Sequence, residues 1–374
     1  MNTEQQNKQT FLSLPALLKT EAGERIKTAA EWRNKRRPEI LELFRTHVFG
    51  RAPVGKPGIL RFESEGVIPK ALSGKATYKQ SAVHFSGPGG RGKVRLFLFL
   101  PAGCDRPVPV FLLVCHLPPG KIDLKRDSPF WPVEKIVERG YAAAAFYTSD
   151  VDPDIDDGFK NGVHGIFDRS DEARPPDAWG TIAAWAWGAG LVMDCLEAET
   201  ALDHQRVAIA GHSRGGKTAL WCGACDERFA LVISNSSGCT GAALARHKQG
   251  ETVKKINTGF PHWFCDNYKK YNDREDELPV DQHQLLAMIA PRRLYVSSAA
   301  DDWWADPQGE FFSCIQAEPV YRLFGLPGLG IDTMPVTGQS FHNGYIGYHL
   351  RDGGHDLTLY DWQCYLDYTD KHWK

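Results

Sequence analysis

Apolar residues along this chain change their spacing repeatedly, and each change predicts where one kind of element gives way to another. From about residue 58 they fall in short runs, Ile59–Phe62, Tyr78–Phe85 and Val94–Leu100. Turn residues such as Gly87-Pro88-Gly89-Gly90 split these runs, as in an antiparallel lead-in. Val108–Cys115 and Tyr141–Tyr147 are instead continuously apolar, the pattern of strands covered on both faces. Between them Val133–Arg139 reads as a crossover helix stopped by Gly140. Asp177–Leu196 carries Trp179, Ile182, Ala183, Ala186, Trp187, Gly190 and Leu191 on one helical stripe. Arg206–Ala210, Phe229–Ser234 and Arg293–Ser298 return to strand character. Strand and helix alternate, so the pattern predicts the α/β class with a mostly parallel sheet behind antiparallel N-terminal strands.

Ahead of the strands, residues 1–55 read as a polar tail followed by a helix, Pro38–Phe49, with apolar positions 40, 41, 44 and 48. The expected organisation is an N-terminal helical extension over 1–55 packed on one large body over 56–374. With 374 residues, 42% of them hydrophobic, the chain can bury a large core without a partner. A net charge of −2 supplies no basic field, which argues against nucleic acid and membrane surfaces as partners. Met1–Lys8 is polar with no apolar segment behind it, so the expected location is cytoplasmic, or secreted if a signal has been lost from the sequence. Nine cysteines without framework spacing suit free thiols in a reducing compartment. Cys222 and Cys225 lie inside a predicted helix, whereas redox pairs draw their reactivity from a helix N-terminus.

Candidate chemistry concentrates at Gly211-His212-Ser213-Arg214-Gly215-Gly216-Lys217, between the strand Arg206–Ala210 and the helix-like Thr218–Trp221. Glycines on both sides of a serine allow a sharp strand-to-helix turn that presents a strained, exposed hydroxyl, so Ser213 is the candidate nucleophile. A strand-to-helix turn that merely contains a serine and a phosphate-cradling loop are the competing readings, but the Gly-rich spacing a phosphate loop needs ahead of Lys217-Thr218 is not met. A serine hydrolase of this kind also needs an acid and then a base later in the chain. His355, after Gly353-Gly354, is the base favoured by its flexible turn; His349 reads as a packed strand residue and His342 as a weaker competitor. The acid should follow the strand Arg293–Ser298, where Asp302 is preferred, Asp301 is second and Asp306 third. Asp306-Pro307 also reads as a helix cap.

Two further stretches have competing readings. Asp150–Gly158 alternates carboxylates as a calcium loop does, but lacks the required glycine at the sixth position, leaving an acidic surface loop near the strand ends. No Cys/His spacing suggests zinc, and neither metal nor cofactor is expected. His116 follows a central strand, in the loop that donates a second oxyanion amide through its backbone in such folds.

Ser213–Lys217, Asn235–Cys239, Phe260–Phe264, Leu278–His283, Ile289–Arg292 and Asp302-Trp303 together resemble the bacterial branch of the glucuronoyl esterases, carbohydrate esterase family fifteen. The resemblance runs from about residue 28 to the end. It implies an α/β-hydrolase three-layer sandwich and cleavage of esters between 4-O-methyl-glucuronate and lignin alcohols, or of model methyl esters. It makes Ser213 the nucleophile, His355 the base and Arg214 the arginine beside the oxyanion hole. It also places Lys217 on sugar hydroxyls and Trp303 at the uronate subsite. Two positions depart from the family pattern. Ser236 stands where many members carry the triad glutamate, so Asp302 must supply the charge, and Phe260 stands where fungal members set a glutamate on the sugar.

Other readings stay open beside these. Arg214 could be a structural ion-pair partner, Asp281 and His283 could support the cleft or cap a helix, and Trp303 and Trp304 could be a sugar platform or lid packing. The expected activity is a serine carboxyl-ester hydrolase acting on a small carbohydrate ester or oligosaccharide. An acetyl esterase acting on xylo-oligosaccharides, a non-catalytic sugar-binding homologue and a peptidase are the rivals.

Overall fold

The computed structural model describes residues 14–168 and 173–374, so the polar stretch Met1–Lys8 lies outside the described residues. Its strands are β1 (Ile59–Ala71), β2 (Ala76–Gly87), β3 (Gly90–Pro101), β4 (Val108–Cys115) and β5 (Ala142–Tyr147), followed by β6 (Leu202–His212), β7 (Phe229–Asn235), β8 (Arg293–Ala299), β9 (Gln339–Phe341) and β10 (Ile346–Arg351). They form one sheet in the order β1-β2-β3-β5-β4-β6-β7-β8-β10-β9. The lead-in strands pair antiparallel as far as β5. Every pairing from β5 across β4, β6, β7 and β8 to β10 is parallel, and β9 closes the edge antiparallel.

The continuous apolar runs are explained by two cores, one on each face. Along β4, Val110, Leu112 and Val114 enter one core while Phe111, Leu113 and Cys115 enter the other, the two-residue period of a strand. Helices α1 (Arg37–Phe44), α3 (Thr181–Glu197), α4 (Arg214–Cys225), α5 (Gln282–Ala287) and α6 (Pro307–Leu323) cover the first face. On the second lie α2 (Val133–Glu138) and α7 (Leu359–Trp373). The result is the three-layer α/β-hydrolase sandwich that the resemblance implies.

Two helix boundaries differ from expectation. The stretch expected to be helical from Asp177 begins its helix at Thr181, because Gly180 is extended and the N–H groups of Trp179 and Gly180 donate to the Arg51 (3.3 Å) and Phe49 (3.0 Å) carbonyls instead of to a helical turn. The N-terminal helix is Arg37–Phe44 with wider π-type turns on either side, Trp32–Arg36 and Arg45–Phe49. Its buried stripe is Ile40, Phe44, Val48 and Phe49, with Leu41 half-buried. Phe49 stacks on Trp221 of α4 at 4.3 Å, and Arg37 donates to the carbonyls of Met288 and Ala224. No helix among the described residues is long and apolar enough to cross a membrane.

Because β4, β6, β7, β8 and β10 run in one direction, their C-terminal ends share one edge of the sheet. In open α/β sheets ligands bind along that edge.

Candidate active site

Ser213 is the single residue between the end of β6 and the start of α4, with φ 55° and ψ −124°. That left-handed geometry is strained for a residue with a side chain, and the surrounding contacts impose it. Ser213 N–H donates to the Asn235 carbonyl at the end of β7 (2.9 Å), while the Ser213 carbonyl accepts from Gly216 and Lys217. The flanking glycines are required by close approach. A Cβ on Gly211 would lie 2.0 Å from the Gly215 carbonyl, and one on Gly215 would lie 2.7 Å from the Val114 carbonyl.

The His355 loop follows β10, and Asp302 sits in the turn after β8, its parallel neighbour. Ala300 N–H bonds the Arg351 carbonyl (2.8 Å) and Asp301 N–H bonds the Gly353 carbonyl (3.0 Å), tying the two segments together. His355 Nδ1 lies 2.6 Å from Asp302 Oδ2, so the imidazole N–H donates to the carboxylate. Asp302 is buried, whereas the His355 side chain is 43% exposed. Its ring lies 4.5 Å from the ring of His212, the residue before Ser213, which brings the imidazole beside the elbow. Burial pushes the His212 imidazole down to about 3, so it stays neutral and adds no charge next to a protonated His355. Its Nδ1 pairs with Asn235 Oδ1 at 2.6 Å.

The other candidate acids and bases are engaged elsewhere. Asp301 is exposed, while Asp306 pairs with His247 at 2.6 Å and caps α6 through Gly309 N–H. His349 is buried between Asp361 (2.9 Å) and the Tyr295 hydroxyl (3.0 Å), and His342 meets the same hydroxyl at 2.8 Å.

Arg214 is held from three sides. Its guanidinium pairs with Asp154 and lies 4.7 Å from the Trp263 ring centre and 5.2 Å from that of Phe260. Phe260 in turn stacks on Trp263 at 3.7 Å. Burial pushes the Asp154 carboxyl up, but hydrogen bonds from His262 (3.0 Å) and Trp263 (2.7 Å) and the Arg214 charge outweigh it, leaving the group at about 2. The stretch read as an acidic surface loop is therefore a partly buried strap. Asp150 binds Arg95, Asp152 binds the Thr181 hydroxyl, Asp154 binds Arg214, and Asp157 caps the turn at Asn161.

The four candidate substrate contacts fall in different surroundings. Lys217 is buried, its ammonium 2.5 Å from the Ser237 carbonyl, 2.6 Å from that of Cys239 and 3.7 Å from Glu251. In this arrangement it is a strut under loop 236–239 rather than a free sugar contact. His283 is corrected outright: it is buried on α5 against the Pro15 carbonyl (3.1 Å), and burial lowers its imidazole to about 4. The alternative reading of this segment is the observed one, since Asp281 and Gln284 form the capping box of α5. Phe260 faces the guanidinium of Arg214 and the indole of Trp263. Trp303 is 69% exposed and borders a cavity of about 500 Å3 that also touches Gln249, Gln308 and Met334. A larger cavity, about 650 Å3, lies at the far end of α4 beside Trp221 and Cys225.

Sequence reasoning missed Asp154, Arg351 and Asp361. Asp154 is one of several carboxylates in an acidic run, and nothing in its neighbours marks it. Arg351 is the last residue of an apolar strand, a position where a cation is ordinary.

The strained serine, the order of strands and the His–Asp pair at the strand ends define an α/β hydrolase. Residues 136–325 match the family "Glucuronyl esterase, fungi". The carbohydrate esterase MZ0003, from an unknown prokaryotic organism, is 40% identical over 96% of this chain and 89% of its own length. A glucuronoyl esterase structure from Solibacter usitatus is 42% identical, covers 96% of this chain and 98% of that one, and superposes with a TM-score of 0.90. The 4-O-methyl-glucuronoyl methylesterase of Neurospora crassa is 27% identical over 91% of this chain and 82% of its own. The chain belongs to the glucuronoyl esterase family and is a carboxylic ester hydrolase.

Proposed function

We propose that this esterase cleaves glucuronoyl esters of carbohydrates, of the 4-O-methyl-glucuronoyl methyl ester type, using Ser213 as nucleophile, His355 as general base and Asp302 as the acid. Neutral His355 takes the Ser213 proton as the hydroxyl attacks the ester carbonyl. Arg214 and backbone N–H groups at the elbow and the His116 loop then hold the oxyanion. The imidazolium formed is stabilised by Asp302 and gives its proton to the leaving alcohol; the neutral His355 that results then takes a proton from water, which attacks the acyl-enzyme, and returns it to Ser213 as the acid is released. The observation that carries this reading is the 2.6 Å His355–Asp302 pair beside a serine held at φ 55°. Support for the acyl group comes from the Neurospora relative, whose name is that of a methylesterase of 4-O-methyl-glucuronate.

One observation favours an acetyl esterase instead. Phe260 presents an aromatic face under Arg214, and a phenyl ring accepts no conventional hydrogen bond from a sugar. Comparing kcat/KM on methyl glucuronate and on acetylated xylose decides between them, and the glucuronate ester is expected to be faster. Alanine at Ser213 should abolish both hydrolyses; retained turnover removes the serine mechanism. A cytoplasmic location belongs to the same reading, with soluble oligosaccharide esters as substrate, and cell fractionation checks it.

A further inference from the structure

Behind the His355 loop lies a polar group that the proposed reaction does not use. Arg351 is 5% exposed, and its guanidinium wraps the turn that carries the base. Nη1 donates to the Asp352 carbonyl (2.7 Å), and Nη2 to the carbonyls of Gly354 (2.9 Å) and Asp356 (2.6 Å). Two of these acceptors flank His355 directly. Nε donates to Asp361 Oδ2 at 2.9 Å. Asp361 is fully buried at the start of α7, where the same oxygen takes the Thr358 N–H and hydroxyl. Its other oxygen meets His349 (2.9 Å) and the Asn235 amide (3.0 Å). Asn235 in turn bonds His212 and, through its backbone carbonyl, the N–H of Ser213. An unbroken buried chain therefore runs from the base loop to the nucleophile elbow.

We propose that Arg351 and Asp361 are positioning residues that set the register between His355 and Ser213. The Gly353-Gly354 turn has little preference of its own, Gly353 standing at φ 86°. A planar guanidinium with five donors can hold three carbonyls of such a turn and the Asp361 carboxylate at once, whereas an ammonium has only three donors. Asp361 fixes the cation and links it across β7 to the elbow. Near-attack geometry depends steeply on such placement.

This inference rests on the triad reading above, which the Ser213→Ala variant tests separately. The test is Arg351→Ala and Arg351→Lys, assayed on methyl glucuronate with proton NMR of the His355 Nδ1 resonance. Arg351→Ala should lower kcat by about tenfold to a hundredfold with KM within about twofold. The downfield Nδ1 proton should weaken or vanish, and added guanidinium ion should restore part of kcat. Arg351→Lys, which keeps the charge beside Asp361, should fold and fall between Arg351→Ala and the unmodified enzyme. The proposal is overturned if kcat is unchanged, or if activity falls only in step with the folded fraction while the Nδ1 resonance persists and guanidinium has no effect.

Discussion

The loop after β10 and the interior of β10 each carry a histidine paired with an aspartate, and the two pairs have different surroundings. His355–Asp302 and His349–Asp361 have similar separations, 2.6 and 2.9 Å. In the interior pair both side chains are fully buried, and the second imidazole nitrogen is taken by Tyr295. In the loop pair the carboxylate is buried while the histidine is 43% exposed, next to the elbow. A carboxylate orients an imidazole equally well in either setting. Only the loop pair leaves the imidazole accessible to a substrate, and that, rather than the pairing, separates the proposed base from a structural bridge.

The comparison can be broken most directly at the bases. His355→Ala should reduce kcat by about 10^4-fold or more with little change in thermal stability, as measured by steady-state kinetics and melting. Asp302→Asn should cost about 10^3- to 10^4-fold, because an amide favours the wrong tautomer, while Asp301→Asn stays within about twofold. Equal effects at the two aspartates would contradict the assignment of the acid. His349→Ala inverts the pattern: urea unfolding should show a loss of about 2–4 kcal/mol, since Asp361 is left buried with one partner fewer.

The smallest effect sharpens the placement of His283. Its folded imidazole titrates at about 4, below the ordinary histidine value, so only the unfolded chain takes up the proton as the pH falls from about 6.5 towards 4. Stability contributed by neutral His283 is therefore full above that window and lost through it. His283→Gln should flatten the acid side of the stability curve measured by urea unfolding at several pH values. A raised KM with an unchanged acid slope would return His283 to the substrate cleft.

Much of the site was legible because its signals are local. Gly211-His212-Ser213-Arg214-Gly215 announces the elbow, since the turn's steric demands fall on adjacent residues. Arg293–Ser298 running into Asp301-Asp302 announces a strand end with a carboxylate. Asp302 and Asp301 differ in direction by one peptide unit, and nothing local decides which one turns inward. The surroundings of Lys217 and His283 escaped the sequence for a related reason. Each lies on a helix with a recognisable motif, but what its side chain meets comes from distant segments: Ser237 and Cys239 for Lys217, Pro15 for His283.

By itself the sequence determined the class of fold, through apolar periods that a strand or helix reads within its own length, and it singled out Ser213 as the candidate nucleophile, through glycines that only a tight turn needs. Tertiary structure alone decided which carboxylate meets His355, what holds Arg214, and which histidines are sealed from solvent. Residues 302 and 355 meet because β8 and β10 are parallel neighbours whose ends align, Ala299 opposite Arg351. That alignment is a property of the assembled sheet, and no single segment encodes it.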